Sequence, residues 1–130
     1  MKLNPDCIRD LLFAIEDLST ANSLLTSNEL AKTNFLTNYN YDEILYHLNQ
    51  LYLSQYIIAP NKYKCIDGTF LVQDLSPAGH EFIANIRQDT NWNKVKSISS
   101  KIGSSTLKSM QTIAENVISS AISSAFTGTP

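Results

Sequence analysis

The sequence predicts a mainly α, α+β fold: a winged helix-turn-helix with a β-hairpin wing and a C-terminal helical extension. Three observations predict it. Apolar residues recur at helical spacing in two segments of the first half of the chain, and a capping box marks a short helix between them. The turn signal Asp67-Gly68 then separates two short runs of extended character. Further amphipathic helical segments close the chain. Helix, short strand, helix, helix, hairpin is the element order of a winged helix. The expected organisation is a winged-helix-like domain over 1–75, C-terminal helices over 76–126 packing on it, and a frayed tail over 127–130.

Asn4-Pro5 reads as an N-cap followed by proline at the first helical position, with Asp6 favourably placed in the first turn. Ile8, Leu11, Leu12, Ile15 and Leu18 give a helix from about 5 to 18. Ser23-Leu24-Leu25-Thr26 is a short strand. Thr26 and Glu29 fit a capping box opening a second helix through about Thr33. Asn40 caps a third helix from about Tyr41 to Ser54, with Ile44, Leu45, Leu48, Leu51 and Tyr52 on its apolar side. Ile57-Ile58-Ala59 and Lys62-Tyr63-Lys64-Cys65-Ile66 are extended, and Thr69-Phe70-Leu71-Val72 returns after the turn. Ser76-Pro77 starts a helix that buries Phe82, Ile83 and Ile86, reaches the region of Trp92 and resumes through Ile102. Gly103-Ser104-Ser105 breaks it, and a last helix spans about Thr106 to Phe126.

With 130 residues, 43% of them hydrophobic, the chain suffices for one compact domain with an appended element. The net charge of −2 excludes a strongly basic nucleic-acid footprint overall. The charge is uneven, however. Residues 1–59 carry three basic and seven acidic side chains, whereas residues 60–130 carry seven basic and five acidic. Two cysteines, Cys7 and Cys65, make no disulfide framework and have no partner at metal spacing. The sequence shows no secretory leader and no run of 18 apolar residues, so the expected setting is cytoplasmic.

A family resemblance rests on particular runs. These are Met1-Lys2-Leu3-Asn4-Pro5-Asp6 with Ile8-Arg9 and Ala14-Ile15-Glu16, and Tyr41-Asp42-Glu43-Ile44-Leu45-Tyr46-His47-Leu48. The most specific are Gly79-His80-Glu81-Phe82, Asn85-Ile86-Arg87-Gln88-Asp89-Thr90 and Trp92-Asn93-Lys94. With them the chain resembles a bacterial family common in phages and prophages, domain of unknown function 2513. The resemblance implies a winged-helix-like fold and a mobile-element setting, and it carries no activity. Ala78 stands where that family usually has an aromatic or charged residue.

His80-Glu81 resembles the opening of a zinc-hydrolase helix, but Ala84 occupies the position of the second histidine. The expected role of His80 is a hydrogen bond to a carboxylate or carbonyl. Neither cysteine sits in a nucleophile elbow, and the four glycines form no phosphate loop. No catalytic residue, metal or cofactor is therefore expected.

Candidate surfaces remain. On the third helix, Asp42, Glu43, Tyr46, His47, Asn49 and Gln50 are expected to face outward. This helix has no Lys or Arg and an acidic first turn, which favours a protein partner, from host or phage, over phosphates. Nucleic acid would instead meet Lys62 and Lys64 in the wing, with Lys94, Lys96, Lys101 and Lys108 near Trp92. Trp92 is expected to plug the joint between the winged helix and the later helices, with an exposed hot spot as the alternative. Between Ser105 and Pro130 only Lys108 and Glu115 are charged. The apolar face including Met110, Ile113, Val117, Ile118 and Ile122 must be covered, by the domain or by a second copy in a homo-oligomer. A membrane is disfavoured, because the polar face carries serine in place of lysine and arginine.

Overall fold

The computed structural model describes residues 1–60 and 68–127. The chain divides into two compact units, Met1–His80 and Glu81–Pro130. The fold is mainly helical with short antiparallel strand pairs.

In the first unit, α1 (Pro5–Leu18) starts where the sequence places it. The Asn4 side chain accepts the N–H groups of Asp6 and Cys7, satisfying donors that a helix start leaves free. Its buried stripe is Cys7, Ile8, Leu11, Leu12, Ala14 and Ile15. After β1 (Leu25–Thr26) comes α2 (Ser27–Ala31), shorter than expected, because the chain turns at Lys32 and Thr33. The Thr33 hydroxyl donates to the Leu30 carbonyl at 2.8 Å, one of the local bonds by which threonine competes with helix continuation. Helix α3 (Tyr41–Leu53) opens with a full capping box: Asn40 accepts Glu43 N–H, and the Glu43 carboxylate accepts Asn40 N–H. α1 packs on α2 and α3.

The strands are β2 (Ile57–Ile58), β3 (Leu71–Val72) and β4 (Asp74–Leu75). β1 pairs antiparallel with β3, Leu25 opposite Val72, and β2 pairs antiparallel with β4, Ile57 opposite Leu75. Between β3 and β4, Gln73 donates its N–H to the Ile58 carbonyl at 2.8 Å. The return run is thus held by β1 along its first half and by β2 along its second, reaching Leu75 where the sequence suggested Val72. Buried Ser27 ties the same region together: its N–H donates to the Phe70 carbonyl, and its hydroxyl accepts Phe70 N–H. The expected wing arm, with Lys62, Lys64, Cys65 and Asp67, lies outside the described residues.

Helix α4 (Pro77–Ile86) begins in the first unit and ends in the second. It does not run on to Trp92. Gln88 is extended (φ −73°, ψ 133°) and α5 (Asp89–Ile102) starts afresh. Asp89, Thr90 and Asn91 are residues that favour a helix start over a helix interior. α5 buries Trp92, Val95 and Ser99 and packs on α6 (Leu107–Thr127). α6 includes Thr127, so the helix continues one residue into the expected tail; 128–130 lie outside the described residues.

Candidate functional site

The third-helix surface differs from its expected form. Asp42 is exposed, while Tyr46, Asn49 and Gln50 are half-buried. Glu43 is occupied by the capping box. His47 does not face outward: it has no exposed surface, and Tyr46 meets it edge-on at 5.0 Å. It lies three residues after Ile44 and four before Leu51, on the buried stripe itself. Its Nε2 accepts the Asn4 N–H at 2.8 Å and its Nδ1 donates to the Glu43 carbonyl at 2.7 Å. Burial holds its pKa below the ordinary value, against the opposing influence of Glu43.

The C-terminal half of α3 contributes to a different feature. Asn49, Tyr52 and Leu53, with Gln55, Ile57, Ile58, Ala59 and Ser76, line a groove of about 750 Å³. Among these described residues none is charged. Leu53 is 65% exposed and Ile58 43%. The helix reverses there by bonds from Gln55 N–H to the Tyr52 carbonyl and from Tyr56 N–H to the Leu51 carbonyl, a Schellman closure. Gln55 takes the left-handed position at φ 65°, where glycine is usual. Sequence reasoning missed this groove. The available signal was the uncharged run from Ile44 to Asn61, between Glu43 and Lys62.

Within the Gly79-His80-Glu81-Phe82 run, Gly79 and Phe82 have structural explanations. A Cβ on Gly79 would collide with the Tyr56 carbonyl and crowd Leu75. Ser76 caps the turn, its hydroxyl accepting Gly79 N–H and donating to the Gln55 carbonyl. Phe82 is fully buried. His80 is exposed, its Nε2 3.9 Å from an Asp74 carboxylate oxygen, too far for a hydrogen bond. Among the described residues no group of three or more His, Cys, Asp or Glu is placed to hold a metal. Cys7 is buried, and burial with nearby Glu43 and Asp10 pushes its thiol up to about 12, the opposite of an activated nucleophile.

In the second unit, Lys94, Lys101 and Lys108 are exposed, whereas Lys96 is half-buried with Nζ 5.7 Å from the Trp92 ring centroid. Trp92 is 2% exposed, so the exposed hot spot is ruled out. Met110, Ile113 and Val117 present no free face: they are buried, and α6 packs on α5. Ile118 is half-buried. Ile122 is 51% exposed and Phe126 88% exposed. The accessible apolar side of α6 is therefore narrower than expected and lies toward its C-terminal half. Among the described residues no helix is long and apolar enough to cross a membrane.

Residues 2–105 match the family model described as Hypothetical protein (DUF2513). The chain belongs to this family. A relative from Haemophilus influenzae, described as an uncharacterized protein, is 29% identical over 120 residues, which cover 92% of this chain and 97% of the relative. No solved structure matches. The DUF2513 match ends before α6, so the bare apolar end of that helix lies outside the family model.

Proposed function

We propose that the chain is a non-catalytic winged-helix module of a phage or prophage that binds a host or phage protein in the cytoplasm. The winged-helix reading is supported by the order α1, β1, α2, α3, β2, β3 and β4, with β1 and β2 both pairing to the 71–75 run. The observation that carries protein binding is the groove at the end of α3: its described lining residues are uncharged, and Leu53 and Ile58 project from it. Apolar side chains in a concave site gain by burial against another apolar surface, on the order of 1.5–3 kcal/mol for each fully covered large side chain. Among the described residues that line the groove there is no cation to attract a phosphate.

The test is paired capture from phage-infected cells with the wild-type chain and a Leu53→Glu/Ile58→Glu variant. Circular dichroism checks that the variant folds. A protein retained by the wild type and lost by the variant supports the proposal. Equal capture by both would refute it. The alternative is a DNA-binding regulator working through Lys62, Lys64 and the α5 lysines. It is favoured by the exposure of Lys94 and Lys101 one heptad apart on α5. It requires duplex binding that weakens steeply with salt and with Lys94→Glu/Lys101→Glu.

A further inference from the structure

We propose that His47 is a proton-operated latch holding the first residues of the chain and the start of α1 against α3. The imidazole has no exposed surface, and both ring nitrogens are committed. The Asn4 backbone amide is purely a donor, so Nε2 must present its lone pair and the proton must sit on Nδ1, facing the Glu43 carbonyl. Asn4 also caps α1, where its side chain accepts the N–H groups of Asp6 and Cys7. One lone pair on α3 thereby holds the residue on which the first turn of α1 depends. A proton on Nε2 would set N–H against N–H, with no exposed surface on the imidazole to relieve it.

The charged and titratable neighbours oppose one another. On α3, the Glu43 carboxylate favours the imidazolium. Cys7 lies on the α1 side, with Asp6 and Asp10 further carboxylates of that helix; Lys2 and the Met1 amine precede Asn4 in the held segment. Desolvation is the larger influence on His47, so the neutral ring is preferred in the closed form. The released form regains the ordinary imidazole value, about 6.5. Below that pH the released form binds the proton and the closed form does not, until pH falls to the lower value of the closed form. Closure is therefore fully stable above about 6.5 and weakens as pH falls through the window beneath it.

The experiment uses the full chain carrying His80→Ala, which leaves His47 as its one imidazole. Nitrogen NMR reads the tautomer, and residue-resolved amide exchange is followed from about pH 7.5 to about pH 5, across the ordinary imidazole range. The expected result is the Nδ1–H tautomer at neutral pH. Protection of the Asn4, Asp6 and Cys7 amides, corrected for intrinsic exchange, should fall by up to about tenfold per pH unit, the limit for one proton. The Leu48 and Leu51 amides should stay protected. In His47→Gln, the pH dependence at Asn4 should vanish; if that variant fails to fold, the His80→Ala chain alone decides. The Nε2–H tautomer, pH-independent protection at Asn4, or equal loss of protection along α3 would each overturn the latch.

Discussion

Helices α3 and α5 end in the same way and use different residues to do it. Both close with a Schellman pair of backbone bonds, Tyr56 to Leu51 and Gln55 to Tyr52 in one, Ser104 to Ser99 and Gly103 to Ser100 in the other. At the left-handed position α5 has Gly103 at φ 71°, and α3 has Gln55 at φ 65°. Glycine adopts that conformation freely, whereas a side chain raises its energy by roughly 1–2 kcal/mol. The surroundings account for the difference. The Gln55 carbonyl accepts the Ser76 hydroxyl, the Tyr56 carbonyl accepts Ser76 N–H, and α4 approaches Tyr56 closely through Gly79. At Gly103 the space around an added Cβ is empty. The α3 turn is imposed by tertiary contacts that override residue preference, while the α5 turn is set by its own glycine. The strained residue also borders the groove, which is where strain is expected to persist when the side chain has a use.

The largest test of this contrast is Gly79→Ala. The new methyl group meets the Tyr56 carbonyl, which is backbone and cannot rotate away. Destabilisation of about 3 kcal/mol is expected from denaturant unfolding. Gly103→Ala has no steric obstacle and should cost about 1.5 kcal/mol, from the backbone conformation alone. Equal effects at the two glycines would mean that α4 does not pin the α3 turn. Next in size is Gln55→Gly, expected to raise stability by about 1 kcal/mol. If Gln55 serves the groove, the same change weakens capture of the partner while the fold becomes more stable, a trade-off common where function holds a strained residue in place. A gain in stability with unchanged capture would assign Gln55 no part in binding.

How much of the fold and of the groove is legible in the sequence follows from how local each signal is. The α1 and α3 starts are readable because Asn4 and Asn40 act within three residues of themselves. The capping role of Glu43 is equally local, although its charge alone suggests an outward surface. His47 is misplaced when a polar residue is assigned to the polar side, because its spacing to Ile44 and Leu51 puts it on the buried one. Its partner, Asn4, lies 43 residues away and no local pattern names it. The same holds for the groove, assembled from α3, β2 and Ser76, and for the closeness of Gly79 to Tyr56. On α6 the apolar pattern is visible, but which part of it meets α5 is not. Period alone locates an apolar face and leaves open the length of helix that its partner covers.

That last point yields the smallest expected effect on stability. Met110, Ile113 and Val117 are already buried, so truncating them tests packing within the chain and says nothing about a second copy. Ile122 and Phe126 are the side chains left for such a role, 51% and 88% exposed. Replacing both with serine removes little buried surface of the isolated chain, so unfolding stability should change by no more than about 0.5 kcal/mol. Light scattering on the same two proteins then separates the cases. A wild-type dimer that the double variant turns monomeric places the self-association surface on the C-terminal half of α6. A wild-type monomer removes self-association and leaves Phe126 as a solitary exposed side chain. A stability loss of about 2 kcal/mol or more with no change in mass would mean that this end of α6 is covered by its own chain in solution.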